Sequence, residues 1–343
     1  MKVNQFPDRI LTVDAEEYLY FGGTSYLGLP ANTDFQQLLI KNIMQWGTAY
    51  GSSRSANIKL NAYENGETFL ANYLKAEAVL TVSSGMLAGK LVMDKLVQQT
   101  NSFFHFPNVH PAITAPNSLP FFIGNQLNPR LLDSVIEKIT ILTDSVPSFQ
   151  IQPIELSVLE LIPSNKEITL VIDESHSLGI LGINGCGLFS SIQFSNIKRK
   201  IMVASLGKAF GLTGGVIASD SEFITQMVEV DTVVSSAGMN AAFVQTMADA
   251  APIYSIQHQK LKANLAYIKA HLITSETVVF NPNYPVIYPE IEGINEIFKA
   301  NNIIVTYFKY PTDSKVLNRI VITANHQKED LDKIIALLNQ IQF

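Results

Sequence analysis

The chain is poor in cysteine: Cys186 is the only one in 343 residues. A single thiol excludes an intrachain disulfide framework and fits a reducing compartment such as the cytoplasm. Cys186 stands in a short glycine loop, where we expect a neutral structural residue, with a catalytic thiol as the alternative.

Positive charge and long apolar runs are also scarce. The 24 Lys and Arg residues are outnumbered by 30 Asp and Glu residues, which gives a formal net charge of −6 and no basic surface for nucleic acid. No stretch approaches the roughly 20 uninterrupted apolar residues of a membrane span, and the first residues show no apolar signal core. We therefore expect neither a nucleic-acid nor a membrane role.

The segment most informative about chemistry surrounds Lys208, which stands between Ser205 and a run of glycines. The apolar stretches on either side, 201–204 and 216–218, are typical of short buried strands, and this places the lysine at a strand end, where loops carry chemistry. Lys208 is therefore a candidate nucleophile for Schiff-base formation. The alternative is a surface lysine in a glycine turn.

A second strand end lies upstream, where Asp173-Glu174-Ser175-His176 follows the apolar, β-branched run 168–172. Such a run predicts a buried parallel strand, so an acid, an imidazole and the Lys208 amine would meet in the crevice where open α/β sheets bind ligands. This combination suits pyridoxal 5′-phosphate (PLP), because the carboxylate would keep the pyridine nitrogen protonated while the lysine holds the aldehyde as an imine.

The turn after the predicted strand 78–82 supplies a candidate phosphate site. Ser84, Gly85 and Met86 lead directly into a helix, and free backbone N–H groups at a helix start suit a phosphate dianion. The surrounding residues do not complete a Walker or a dinucleotide-binding motif, so we predict that this turn holds the phosphate of PLP.

These residues resemble a known family, the α-oxoamine synthases among the fold-type I PLP-dependent enzymes. Asp173 to His176 is similar to the family's Asp-x-x-His, Ser205 to Lys208 to its Thr/Ser-x-x-Lys, and 178–182 to its Gly-rich stretch. The resemblance extends from about residue 26 to the C-terminus. It implies the α/β fold of these enzymes, with a mainly parallel sheet in a large domain and a small α/β domain, and a homodimer that shares its active sites.

The resemblance also implies roles for individual residues. Lys208, Asp173, His176 and His110 are the expected catalytic residues, with His110 stacked on the cofactor ring. The expected cofactor-binding residues are Ser84, Gly85, Met86, His110, Ser148, Asp173, His176, Ser205, Lys208, Ser235 and Ser236. The last two correspond to a segment that donates to the phosphate of the partner subunit.

Substrate contacts are expected from Arg319 and Ser25. Arg319, seven residues before His326, resembles the family arginine that binds the amino acid's α-carboxylate, which a guanidinium grips bidentately. Ser25 stands where the family usually has asparagine. Phe149 and Gln150 also depart from the family's loop, which ends in methionine, aspartate and glycine.

Several of these residues have structural alternatives. Arg319 could open an edge strand and face water, and Ser235 or Ser236 could simply cap a helix. Arg54, in a loop similar to the family's Gly-x-x-Arg, is a ligand or interface candidate, with a solvated side chain as the commoner role. His105 is expected to be structural, and a metal pair with His110 is the less favoured reading. No metal site is predicted.

The expected reaction joins an amino acid to an acyl-CoA and releases CoA, in the manner of the 8-amino-7-oxononanoate synthases and 2-amino-3-ketobutyrate CoA ligases. A histidine three residues after Asp173 favours this branch, because aminotransferases of the fold more often carry tyrosine there. The alternatives are a PLP-dependent aminotransferase acting on a small amino acid, and an inactive PLP-fold scaffold.

Chain length predicts more than one core, since single cores stop growing at about 250–300 residues. We expect an N-terminal segment, 1–30, that packs with a small C-terminal α/β domain, 255–343, and a large PLP-binding domain, 31–254.

Overall fold

The computed structural model describes residues 1–100, 102–309 and 316–342. The chain forms two compact units. One comprises Gln37–Lys208 and Leu212–Ala251, and the other comprises Met1–Gln36, Ala209–Gly211 and the chain from Pro252 on. Because the sequence places the expected PLP site in the first of them, we refer to them as the PLP unit and the terminal unit.

The described residues form fifteen strands and nine α-helices. The strands are β1 Ile10–Val13, β2 Glu16–Phe21, β3 Ala78–Val82, β4 Phe103–His105, β5 Leu119–Pro120, β6 Phe122–Ile123, β7 Gln126–Leu127, β8 Glu137–Asp144, β9 Lys166–Asp173, β10 Ile197–Ser205, β11 Gly215–Ser219, β12 Val278–Phe280, β13 Val286–Pro289, β14 Ile303–Lys309 and β15 Val316–Val321. The α-helices are α1 Thr33–Trp46, α2 Asn61–Leu74, α3 Gly85–Val97, α4 Ser221–Val228, α5 Asp231–Ser235, α6 Ala241–Asp249, α7 Ala251–His271, α8 Ile294–Ala300 and α9 Lys328–Ile341.

The PLP unit is built on a seven-stranded sheet in the order β3-β11-β10-β9-β8-β4-β5. In this sheet β10, β9, β8, β4 and β5 are parallel to one another. Strand β11 is antiparallel to both of its neighbours, β10 and β3, so β3 runs in the same direction as β10. The carboxyl ends of β3, β4, β8, β9 and β10 therefore lie along one edge of the sheet. This is the edge at which α/β proteins bind ligands.

The inner parts of the central strands, such as 168–172 of β9 and 201–204 of β10, are mainly apolar because helices and loops cover the sheet. Val171, Val203 and Ile217, from three adjacent strands, are fully buried in one core cluster with Leu91 and Val92 of α3. Parallel strands buried on both faces carry such continuous Val/Ile/Leu runs. The core thus fixes the sheet beneath the residues at its carboxyl edge.

The terminal unit contains a six-stranded sheet in the order β1-β2-β14-β15-β13-β12. Strand β2, near the N-terminus, pairs in parallel with β14, and the other pairings are antiparallel. Helix α9 starts with a capping box between Gln327 and Asp330, and Asp330 also binds the guanidinium of Arg9. The N-terminal segment is therefore an integral part of this sheet.

One expectation about a strand end and one alternative about a helix end are wrong. Arg319 does not open the last strand: β15 begins at Val316 and runs between β14 and β13, so the strand is not at an edge. Ser235 and Ser236 do not begin a helix either. Ser235 is the last residue of α5 and Ser236 is its C-cap, whereas Asn240 caps the next helix with its side chain.

Candidate active site

Lys208 lies in a closed loop after β10. The backbone N–H of Leu206 donates to the carbonyl of Gly214, and the N–H of Leu212 donates to the carbonyl of Leu206, so the loop's two ends are joined. The Nζ of the half-buried Lys208 lies 2.9 Å from Nε2 of His176. The predicted nucleophile and the predicted imidazole are thus in hydrogen-bond contact.

Asp173, the last residue of β9, is buried, and its carboxylate is held from its own loop. Oδ1 accepts the N–H of Ser175 at 2.8 Å, and Oγ of Ser175 accepts the N–H of Ser205 at 2.8 Å. This second bond ties the loop after β9 to the end of β10. The predicted ring-nitrogen partner and the segment leading to Lys208 are therefore positioned together.

His110 precedes a short 3₁₀ turn, Pro111–Ile113, at the same edge. Its Nδ1 accepts the N–H of Ala112 at 3.2 Å and lies 3.9 Å from Oδ2 of Asp173. Burial lowers the pKa of His110, and Asp173 opposes this shift without reversing it, while the positive charges of Lys208 and Lys90 act in the same direction as burial. His110 is therefore neutral near pH 7, and its contact with Asp173 is not an ion pair.

The candidate phosphate site is the start of α3. The side chain of Ser84 accepts the N–H of Leu87, which leaves the first N–H groups of the helix to face outward, as helix starts do. Gly85 lies against β10: a Cβ at this position would come within 2.8 Å of Cα of Ser205. Glycine is needed here because it lets the helix start approach the end of β10.

These features fit PLP. They comprise a primary amine, a buried carboxylate, two imidazoles and a helix start, all carried by the carboxyl edge of one sheet. The described residues contain no group of three or more His, Cys, Asp and Glu side chains arranged to hold a metal ion. His105, the other member of the histidine pair considered in the sequence, has its Nδ1 2.8 Å from Oγ of Ser118.

Two residues of this edge were not anticipated from the sequence. Asp144, the last residue of β8, is in register with Asp173, and its Oδ1 accepts the N–H of His110 at 3.1 Å. Glu174 is fully buried and accepts the N–H groups of Leu188 and Phe189 and the hydroxyl of Ser177. Burial raises the pKa of Glu174 to about 7, although these hydrogen bonds oppose the shift.

The other predicted cofactor-binding serines lie in a turn and at a helix end. Ser148 is half-buried in the turn before Phe149, which has a positive φ of 65°. Ser235 is exposed and Ser236 half-buried at the end of α5. Their roles remain predictions.

Arg319 is buried inside the sheet of the terminal unit, so the expectation of a water-facing alternative is wrong. One Nη donates to the carbonyl of Gly23 at 3.3 Å, and Nε is buried without a hydrogen-bond partner among the described residues. Burial alone would lower the pKa of Arg319. The surrounding hydroxyls of Tyr26, Tyr288 and Tyr284 raise it by more, so the net shift of the pKa is upward. Ser25 is half-buried in the turn whose carbonyl accepts the N–H of Gly28.

Arg54 is engaged within the PLP unit and is not a solvated side chain. It pairs with Glu67 at 2.8 Å, donates to the carbonyl of Thr81 at 2.9 Å and lies 4.1 Å above the ring of Tyr63. These contacts join the loop before α2 to β3.

Comparisons with known proteins identify the class to which this fold and site belong. The family model for aminotransferase class I and II matches residues 155–338, more than half of the chain. The chain belongs to this family.

Its relatives within the class are α-oxoamine synthases. The chain is 26% identical to the 8-amino-7-oxononanoate synthase of Pectobacterium atrosepticum, covering 94% of this chain and 88% of the relative. It is also similar to a solved serine palmitoyltransferase variant from S. paucimobilis with a bound PLP–myriocin aldimine, with a TM-score of 0.81 at 15% identity, covering 99% of this chain and 91% of the other. The 8-amino-7-oxononanoate synthase of Francisella tularensis gives a TM-score of 0.72 at 19% identity, covering 95% and 98%.

The comparisons confirm four predictions: the resemblance to the α-oxoamine synthases, the fold-type I α/β fold, PLP as the cofactor, and a PLP-dependent transferase as the enzyme class.

In the described part of the chain, no helix has both the length and the apolar character needed to cross a bilayer.

Proposed function

We propose that the protein condenses an amino acid with an acyl-CoA to give an α-oxoamine, with release of CoA. The observation that carries this proposal is the 2.9 Å contact between His176 and Lys208, since a histidine three residues after Asp173 is the feature that resembles the synthases and not the aminotransferases of the fold. The names of the relatives point to the same acyl transfer.

PLP, when bound, supplies an electron sink for the bonds at the amino acid's Cα. Asp173 would hold the protonated ring nitrogen, because its carboxylate is buried at the strand end and fixed by the Ser175 N–H. The neutral ring of His110 would cover one face, and the start of α3 would bind the phosphate. We thus expect Asp173 at the ring nitrogen, His110 over one face of the ring and the start of α3 at the phosphate.

Lys208 and His176 would remove and return the proton on Cα of the substrate. With PLP and substrate bound, Nζ of Lys208 would be placed to take the proton from Cα, as a positioned amine acting as a general base. Nε2 of His176, in hydrogen-bond contact with Nζ, can accept or return a proton at that atom. The pair therefore keeps the removed proton within the site.

Arg319 would bind the substrate's α-carboxylate. Its guanidinium is desolvated, and a buried Nε without a partner is costly unless a ligand satisfies it. Within the described residues, no Asp or Glu forms an ion pair with it, so its charge remains available for a carboxylate of the substrate.

The test is an assay of free CoA thiol after mixing the purified protein, PLP, an acyl-CoA and one of glycine, L-alanine, L-serine or L-threonine. We expect amino-acid-dependent CoA release that Lys208→Ala abolishes and that Lys138→Ala, a change of an exposed lysine on β8, leaves intact. CoA release without amino acid, or equally fast in Lys208→Ala, would contradict the proposal.

An aminotransferase is the second candidate, favoured by the family model that matches the chain. It would convert bound PLP to the pyridoxamine form with the amino acid alone and release no CoA. An inactive scaffold would do neither. The CoA assay therefore identifies the synthase, and the absorption spectrum of bound PLP with the amino acid alone separates the other two.

We also propose a homodimer in the cytoplasm. The single, buried thiol of Cys186 fits a reducing compartment. Ser235 and Ser236 lie at an accessible helix end, from which they would reach the phosphate of a partner subunit. Mixed dimers of Lys208→Ala and a Ser235→Ala/Ser236→Ala double variant test this: recovery of activity above that of either parent supports shared sites, and no recovery contradicts them.

A further inference from the structure

Two carboxylates lie side by side at the carboxyl edge of the PLP unit. Strands β8 and β9 are parallel and in register up to their last residues, which pairs Asp144 with Asp173. Paired residues of neighbouring parallel strands point to the same face, with the strands about 4.8 Å apart. Each residue is only 6% exposed. Two carboxylates this close and this buried are not both ionised at neutral pH.

The two carboxylates have different partners. Asp173 accepts the N–H of Ser175 and is the group predicted to face the cofactor's positive ring nitrogen. Asp144 instead accepts the main-chain N–H of His110. A hydrogen bond from a neutral N–H is fully compatible with a carboxylic acid, whereas pairing with a protonated pyridine requires a carboxylate.

The surroundings of Asp144 also favour a neutral Asp144 beside an ionised Asp173. Burial and the neighbouring Asp173 raise its pKa well above the ordinary value, and the opposing effects of the His110 N–H and of Lys208 do not cancel them.

We propose that Asp144 is a positioning residue: its neutral carboxylic acid anchors the main chain of His110 and leaves Asp173 as the single negative charge of the pair. The inference rests on the proposed PLP site and deepens it. His110 would cover the cofactor ring, and its 3₁₀ turn is fixed to the sheet through this hydrogen bond. Asp144 thus sets the position of the His110 imidazole without carrying a charge.

The test compares Asp144→Asn, Asp144→Leu and Asp173→Asn by spectrophotometric titration of the full-length protein with PLP. Asparagine keeps the acceptor oxygen and the neutral charge, so we expect a PLP dissociation constant within about 3-fold of wild type. Leucine removes the acceptor for the His110 N–H and should weaken binding about 10-fold. Asp173→Asn, which removes the required charge, should weaken it about 30-fold or more.

A second measurement follows the imidazole of His110 by NMR over a pH series, in the full-length protein before PLP is added. We expect the same pKa of His110 in wild type and Asp144→Asn, because no charge is removed. A clearly lower pKa of His110 in Asp144→Asn would show that Asp144 is ionised in the wild type and would overturn the proposal.

The titration has two overturning outcomes of its own. Asp144→Asn as weak as Asp173→Asn would mean that a charge is needed at Asp144, and Asp144→Leu equal to wild type would mean that the anchor is unnecessary. A wild type that binds PLP but releases no CoA would refute the proposed function alone. A wild type that does not bind PLP would refute the PLP site, and the NMR comparison would still decide the charge state of Asp144.

Discussion

Glu174 provides the most quantitative prediction, because its carboxyl group is fully buried and binds three donors that fix the loop after β9. Its pKa of about 7 in the folded protein compares with an ordinary value of 4.5. Between these values the folded state binds a proton that the unfolded state does not, so the free energy of unfolding falls as pH rises. The stabilisation is complete below pH 4.5 and is lost as the pH passes about 7. Its magnitude is about 3 kcal/mol, since one pKa unit corresponds to about 1.4 kcal/mol.

The perturbation is Glu174→Gln, which cannot titrate. We expect the wild type to lose about 3 kcal/mol of unfolding free energy relative to the variant as the pH rises from about 4.5 to above 7. Urea unfolding over a pH series measures this difference. Glu155→Gln is the matched control, because Glu155 also accepts a backbone N–H but is exposed, and hydrogen bonding to Ser157 lowers its pKa. A wild-type minus Glu174→Gln difference that is flat, or that rises with pH, would refute the reasoning.

Three further substitutions test the site and its support. Gly187→Ala should lower the free energy of unfolding, measured with urea, by about 2 kcal/mol or more. The reason is that a Cβ at residue 187 would lie 1.9 Å from Oε2 of Glu174, at a backbone φ of +80°. Gly51→Ala is the control, because a Cβ at residue 51 meets nothing within 4 Å. Arg319→Lys should raise the amino-acid KM about 10-fold or more while the PLP dissociation constant stays near wild type, because an ammonium cannot form the bidentate pair, and an unchanged KM would remove Arg319 from the substrate site. Arg54→Ala should lower the melting temperature and cost about 1–3 kcal/mol of stability through the loss of its contacts with Glu67 and Thr81; a variant as stable as wild type would show that these contacts contribute nothing.

The strands that carry the site were predictable because buried parallel strands impose apolar, β-branched runs on the sequence. The prediction of strand 78–82 coincides with β3, and the stretches before Asp173 and around Lys208 lie within β9, β10 and β11. Polar residues at the ends of such strands stand out against the runs themselves, which is why Asp173, His176 and Lys208 could be selected.

Other features depend on neighbours that are distant in the sequence. Asp144 gains its meaning from its register with Asp173 and from the main chain of His110, and a sequence pattern shows neither. Arg319 seemed to open a strand because the apolar residues follow it, but β15 begins earlier, at Val316, and pairs on both sides. Glu174 could have been noticed, since it is an acid next to Asp173 and the glycine-rich stretch 179–187 follows it; the four glycines of that stretch have a positive φ in the structure.

The absorption spectrum of the purified protein with PLP tests the central claim most directly. It is recorded first without substrate, then with each of glycine, L-alanine, L-serine and L-threonine, and finally after addition of an acyl-CoA. The account predicts a visible band of lysine-bound PLP that is missing in Lys208→Ala, and, with one amino acid, a further spectral change that requires the acyl-CoA and accompanies CoA release. Conversion to the pyridoxamine form by the amino acid alone would contradict the synthase reaction, and the absence of any band in the wild type would contradict PLP binding itself.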